Sequence, residues 1–103
     1  MSKFNRYNSG VPFMQGREKH SIKELYGMQV SIDEHGYLNG KNGEFVVFTI
    51  QGDDTAFFFG NSVITDLMKD IDGDGLDIRE AKITFEPKVS KNWGTEYTSY
   101  TIE

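Results

Sequence analysis

One polar stretch near the end of the chain combines residue types that bind flat, negatively charged ligands. From Lys88 to Tyr97 the sequence reads KVSKNWGTEY, which places Lys88, Lys91 and the only tryptophan, Trp93, within six positions. A tryptophan face can stack on another flat ring, and a nearby lysine attracts an anion. The alternative is that Trp93 folds back over the core, because large aromatic side chains usually contribute to burial. The stretch therefore predicts a binding loop if the ring is exposed.

A second stretch carries acidic side chains at alternate positions. Asp70, Asp72, Asp74 and Gly75 match positions one, three, five and six of the calcium-binding loop D-x-D-x-D-G, whose carboxylates surround a hard cation. The match then fails, because the twelfth position, which should supply a bidentate acid, is Ala81. Asp70, Asp72 and Asp74 are thus an incomplete calcium candidate. An acidic turn that ends a helix is the simpler interpretation, and we predict no bound metal.

Residue types typical of catalytic sites are sparse. His20 and His35 are the only imidazoles, both in polar sequence, and the chain has no cysteine. Neither histidine lies in a recognisable nucleophile or metal-binding pattern, and the phosphate-binding patterns GxxxxGK[ST] and GxGxxG do not occur. We therefore predict a protein that is not an enzyme and uses no cofactor.

Positive and negative charges are segregated along the 103 residues. The formal net charge is -5, yet residues 1–23 contain five basic side chains and one acidic one. Residues 66–80 show the reverse, with six acidic and two basic side chains. A uniformly basic coat for nucleic acid is therefore excluded, whereas local basic patches are not.

The length and hydropathy predict one domain that does not enter a membrane. A chain of 103 residues has room for a single hydrophobic core. No apolar run reaches the roughly 18 residues of a membrane-spanning helix, and the start, MSKFNRYNSG, lacks the apolar stretch of a signal peptide. We therefore expect a cytoplasmic protein.

Hydrophobic patterns predict five strands and one helix. The strands are expected over residues 28–32, 44–50, 55–59, 82–86 and 96–102. Residues 34–43, rich in glycine and asparagine, predict a loop, and Pro87 is expected to halt or bulge the fourth strand. After Gly60, apolar residues at one-face spacing predict a short helix that Ser62 caps. The first 21 residues lack a sustained period and predict an irregular basic arm.

This order of elements resembles the OB-fold, a five-stranded Greek-key barrel closed at one end by a helix between strands 3 and 4. The resemblance covers residues 22–102, so the predicted fold class is mainly β. We divide the chain into an N-terminal arm, residues 1–21, and an OB-fold-like domain, residues 22–103.

OB-folds that bind single-stranded nucleic acid use the face of strands 2 and 3 and the loops after strands 1 and 4. The resemblance therefore implies contacts from both loops, from outward phenylalanines and from the arm. In strand 3, Phe57 and Phe59 are expected to face inward and Phe58 outward, because the pair outnumbers the single ring. The implied nucleic-acid-binding residues are Trp93, Lys91 and Lys88, then Tyr37 and Lys41, then Phe48 and Phe58, and finally Lys3 and Arg6.

At this level the chain resembles the small OB-fold single-stranded DNA-binding proteins of phages and bacterial mobile elements. The resemblance implies non-catalytic coating of single-stranded DNA during replication or recombination, in the cytoplasm of a bacterial host. Self-association and contacts with replication or recombination proteins are left open. The alternative is a protein-interaction module, a subunit or an inhibitor, that uses exposed aromatic residues against a protein partner. The acidic net charge favours this alternative, and the loop with Trp93 favours DNA.

Overall fold

Seven β-strands and one α-helix form the fold in residues 12–103, the part of the chain that the computed structural model describes. The mainly β prediction is confirmed, although two more strands are present than expected. Short 3-10 helices span Pro12–Met14, Ile22–Leu25 and Ile78–Glu80. The strands are β1 (Glu18–His20), β2 (Gln29–Val30), β3 (Ile32–Gly40), β4 (Gly43–Ile50), β5 (Ala56–Phe59), β6 (Ile83–Val89) and β7 (Glu96–Ile102), and the helix is α1 (Ser62–Gly73).

The strands form two separate sheets. One has the order β1-β5-β4-β3, with β1 parallel to β5, and the other has the antiparallel order β2-β6-β7. The predicted closed five-stranded barrel is therefore wrong for the described residues, and the helix follows the fifth strand rather than the third. The expected first strand divides at Ser31, because Val30 pairs with Ile83 in one sheet and Ile32 pairs with Ile50 in the other.

The loop predicted over residues 34–43 is also wrong. β3 continues to Gly40 and turns directly into β4 through Lys41 and Asn42. Gly43 has a φ of 112°, which favours glycine and allows this tight turn. The glycines and asparagines in this stretch thus lie partly within the strand. Lys41 is consequently at the tip of a hairpin rather than inside a long loop.

The hydrophobic core lies between the two sheets and one face of α1. The Phe48 ring stacks between the rings of Phe58 and Phe85, with centroids 5.7 Å away on each side. Phe48 is 0% exposed and Phe58 3% exposed. The expectation that both rings point outward is therefore wrong. Phe48 and Phe58 pair across β4 and β5 and lie on the face of the first sheet that packs against α1 and the second sheet.

The amino end of α1 is tied to both sheets. Its N-cap is Asn61, whose Oδ1 accepts a bond from the Ile64 N–H at 3.0 Å, so the predicted cap at Ser62 is one residue late. The Asn61 side-chain amide donates to the Thr98 carbonyl at 2.9 Å. Thr65 Oγ1 accepts a bond from the Val46 N–H at 2.9 Å. These bonds fix the helix start between β4 and β7. Among residues 12–103, no helix combines the length and apolar character needed to cross a membrane.

The β6–β7 hairpin extends further than expected. β6 runs through Pro87, which pairs with Thr98, so the predicted interruption is wrong. Beyond Phe85, β7 is the strand that pairs with β6. Pro87 has no N–H group to donate, and none is required on the side of β6 that faces away from β7. β7 has the predicted bounds.

The end of the predicted arm belongs to the first sheet. β1 pairs with β5, and Arg17 Nη1 donates to the carbonyl oxygens of Asp53 at 2.8 Å and Ala56 at 3.2 Å. In this pairing, Lys19 of β1 lies directly beside Phe57 of β5.

Candidate nucleic-acid surface

Trp93 lies at the tip of the β6–β7 hairpin and is 82% exposed. The loop is closed by bonds from the Ser90 N–H to the Thr95 carbonyl and from the Gly94 N–H to the Ser90 carbonyl, both 2.9 Å. Gly94 has a φ of 65°, which completes the turn. Of the two alternatives for Trp93, the structure has the exposed one, and its ring is free for stacking.

A groove of about 760 Å³ runs between this hairpin and the amino end of α1. Helix starts carry partial positive charge, and the first N–H groups, here those of Ser62 and Val63, have no acceptor within the helix. Lys88 and Lys91 add two positive charges on the hairpin side. The lining residues are Asn61, Ser62, Val63, Lys88, Val89, Ser90, Lys91 and Tyr97, none of them acidic.

A second groove, of about 460 Å³, lies on the other side of the same helix start. It shares Asn61 and Ser62 with the first groove, and the β3–β4 turn brings Lys41 to it. Its one acidic lining residue is Glu44, which forms an ion pair with Lys69. The fold therefore brings Lys41, Lys88 and Lys91 to two grooves that meet at Asn61 and Ser62.

Two half-buried phenylalanines, Phe45 and Phe59, extend this surface onto the first sheet, whereas the neighbouring Phe57 is buried. The Phe45 ring, which lines the second groove, packs edge-on against Phe59 with centroids 4.9 Å apart. Phe57 lies 5.7 Å from Phe59, and Lys19 Nζ lies 4.6 Å from the Phe59 ring centre. Phe45 and Phe59 are half-buried. The expectation that Phe57 and Phe59 face the main core is wrong, since that cluster contains Phe58, which has the opposite parity. Phe57 is nevertheless buried, at 8% exposed.

Sequence reasoning missed Phe59, Asn61 and Ser62 as surface residues. It left the orientation of Phe45 open and included Lys19 only as one of the basic residues of the arm. The two phenylalanines depend on strand parity, which only the pairing of β4 with β5 determines. The sequence signal that could have found Asn61 was its position before the first helical turn, where asparagine is a favoured cap.

Tyr37 does not join the basic grooves. It is half-buried, and its hydroxyl donates to Asp72 Oδ2 at 2.7 Å. His35 Nε2 lies 2.9 Å from the same oxygen, and Lys69 Nζ lies 5.5 Å from the Tyr37 ring centre. Burial and the nearby Asp72 carboxylate raise the pKa of the Tyr37 hydroxyl. Tyr37 is therefore a link between β3 and the last turn of α1, not an exposed stacking ring.

The acidic run does not assemble a metal site in the described residues. No group of three histidine or acidic side chains there is placed to hold a metal ion. α1 continues to Gly73, so Asp70 and Asp72 point to different sides of a helix instead of around a cation. Burial raises the pKa of Asp72, but the bonds with His35 and Tyr37 outweigh it and keep that pKa below the usual value.

The described surface thus unites Trp93, Lys91, Lys88 and Lys41 and leaves Tyr37, Phe48 and Phe58 away from it. Lys3 and Arg6 lie outside the described residues. Comparisons of the chain with protein-family models, with curated proteins and with solved structures find no match.

Proposed function

We propose that this chain binds single-stranded DNA without catalysis, along the surface from Trp93 past the amino end of α1 to Phe59. The observation that carries the proposal is the meeting of two lysine-bearing grooves at Asn61 and Ser62. A continuous path is what an extended strand requires, in contrast to a small ligand that needs one enclosed cavity.

Phosphate binding is supported by the charge of the path. Lysines from two hairpins flank a helix start, where unpaired N–H groups and the helix dipole favour anions. The carboxylate of Glu44, which would repel a phosphate, is paired with Lys69. The path is therefore locally basic in a protein of net charge -5.

Base binding is supported by aromatic rings at both ends of the path. Trp93 is exposed at one end, and Phe45 and Phe59 are half-buried at the other. Stacking on a protein ring requires an unpaired base, which favours a single strand over a duplex. In the setting proposed from the sequence, the bound strand is an intermediate of phage or mobile-element replication or recombination, in the bacterial cytoplasm.

The direct test is titration of Trp93 fluorescence with oligo-dT at several salt concentrations. We expect quenching that weakens as salt rises. If Lys19, Lys41, Lys88 and Lys91 each neutralise one phosphate, log K should fall against log salt with a slope of about -3. Absence of quenching at low salt, with the fold intact by circular dichroism, contradicts the proposal and favours the protein-interaction alternative.

Variants separate phosphate contacts from general charge. Lys88→Ala with Lys91→Ala should reduce the steepness of the salt slope by about 1.4. Lys82→Ala is the matched control, because Lys82 is exposed next to the opposite end of β6.

Trp93→Ala, read by anisotropy of a labelled oligonucleotide, should weaken binding by about 1 to 3 kcal/mol and leave thermal stability nearly unchanged. A large loss of stability would mean that the ring contributes to the core.

A further inference from the structure

A groove of about 360 Å³ lies at the carboxyl end of α1, away from the basic path. It forms where α1, the 3-10 helix Ile78–Glu80 and the end of β7 meet. Its apolar lining comes from Leu67, Ile71, Leu76, Ile78, Ala81 and Ile102. These side chains come from three elements and from the connections that follow α1 and the 3-10 helix.

Leu76 is 64% exposed at the edge of this groove. The turn after α1 holds it there, because Gly75 has a φ of 74° and the Leu76 N–H donates to the Ile71 carbonyl at 3.1 Å. Ile102 is also exposed in part. The fold uses the backbone of Leu76 and leaves most of its side chain in water, at the edge of the apolar lining.

Carboxylates surround the apolar lining. Asp77 is paired with Arg79 at 2.9 Å, whereas Glu80 and Glu103 form no ion pair among residues 12–103. No basic residue belongs to the lining. The carboxyl end of a helix also carries partial negative charge, which adds to the attraction for cations. A partner that covers this groove must therefore supply apolar side chains together with positive charge.

We infer that this groove docks a basic amphipathic segment of a partner protein. Apolar side chains on one face of the segment contact Leu76, Ile71 and Ile102. Lysine or arginine side chains at the edge of that face pair with Glu80 and Glu103. Charge complementarity excludes nucleic acid as the occupant, because its phosphates would face these carboxylates. The site is thus separate from the proposed DNA path in both place and sign of charge.

The test uses a labelled synthetic 18-residue helix of leucine and lysine, with the leucines on one face, and measures anisotropy with the whole chain. A peptide with the same composition in scrambled order and a leucine–glutamate helix are the comparison probes. We expect binding of the amphipathic basic helix, at least tenfold weaker binding of the scrambled peptide and no binding of the acidic helix.

Two variant pairs locate the site. Leu76→Ser should weaken binding of the basic helix by about tenfold. Val89→Ser should not, because Val89, although 63% exposed, lines the groove at the amino end of α1 and not this one. Glu80→Gln with Glu103→Gln should weaken binding and reduce its salt dependence, whereas exposed Glu96→Gln should not. Equal effects of Leu76→Ser and Val89→Ser, or no effect of either groove variant, would overturn the inference.

Self-association and DNA binding are measured alongside. If sedimentation shows oligomers that Leu76→Ser dissolves, the occupant is a second copy and the inference of a different protein is wrong. Oligo-dT binding should be unchanged by Leu76→Ser. Failure of the peptide test with intact oligo-dT binding would therefore reject only the docking groove.

Discussion

Gly60 lies at a crowded backbone position near the proposed path. A Cβ atom placed there would lie 2.6 Å from Val46 Cγ1 and 3.0 Å from Ile64 Cβ. Its N–H also donates to the Val46 carbonyl at 2.9 Å. The absence of a side chain therefore lets α1 start directly against β4. That close approach places Asn61 and Ser62 between the two grooves.

Gly60→Ala should consequently lower the free energy of unfolding by about 1 to 3 kcal/mol, because the neighbours that would have to move are buried side chains. Gly73→Ala is the matched control. A Cβ there meets nothing within 4 Å, so the change should be neutral or stabilise the protein by up to about 1 kcal/mol. Urea unfolding of both variants measures the difference. Equal free energies of unfolding for the two variants would contradict this expectation and would show that the start of α1 can move to make room for the added Cβ atom.

At the scale of elements, the two ends of α1 are fastened to the sheets by different chemistry. Its amino end is held by Asn61 and Thr65 and by apolar packing. Its last turn is held to β3 through Asp72, which bonds with His35 and Tyr37. Of these two attachments, only the second depends on an ionised carboxylate, and the Glu44–Lys69 ion pair adds a further contact of this kind between β4 and α1.

Acid should therefore weaken the second attachment first. Since the pKa of Asp72 in the folded chain lies below its ordinary value of 3.8, ionised Asp72 stabilises the fold fully above that pH. The stabilisation disappears as pH falls through the folded pKa. Asp72→Asn should thus lose less stability than the native chain as the pH falls below the ordinary carboxyl value of 3.8. Asp66→Asn, exposed on the same helix, should keep the native pH dependence in urea titrations, and a matching change there would contradict the assignment.

The sequence predicted elements whose patterns are local. α1 and β7 have clear apolar periods, and both occur nearly as expected. β3 was mistaken for a loop, because glycines within a strand look the same in sequence as glycines in a turn. The orientation of Phe58 and Phe59 could not be predicted, because it depends on which face of β5 the helix and second sheet cover. The grouping of Lys88, Lys91 and Trp93 on one loop was predictable, since they lie within six positions between two predicted strands. The exposure of the Trp93 ring was left open by the sequence, because a large aromatic side chain at a loop can also fold back over the core.

At the scale of the whole molecule, α1 separates two regions of opposite charge. Lys41, Lys88 and Lys91 line grooves at its amino end, whereas Glu80 and Glu103 line the groove at its carboxyl end. A helix of 12 residues is roughly 18 Å long. The Debye length is about 8 Å at physiological salt and about 30 Å at 0.01 M. The two regions should therefore influence each other only at low salt.

Neutralising the acidic region tests this separation. In Asp70→Asn/Asp74→Asn/Glu80→Gln, three exposed carboxylates are removed. Each repels a phosphate about 18 Å away by roughly 0.2 kcal/mol in water, and screening at 0.01 M salt reduces this to roughly 0.1 kcal/mol. Their removal should therefore strengthen oligo-dT binding about twofold at 0.01 M salt. At 0.15 M salt the affinity should match that of the native chain, because screening removes the repulsion. An equal gain at both salt concentrations would place the strand in direct contact with the acidic region and contradict the proposed path.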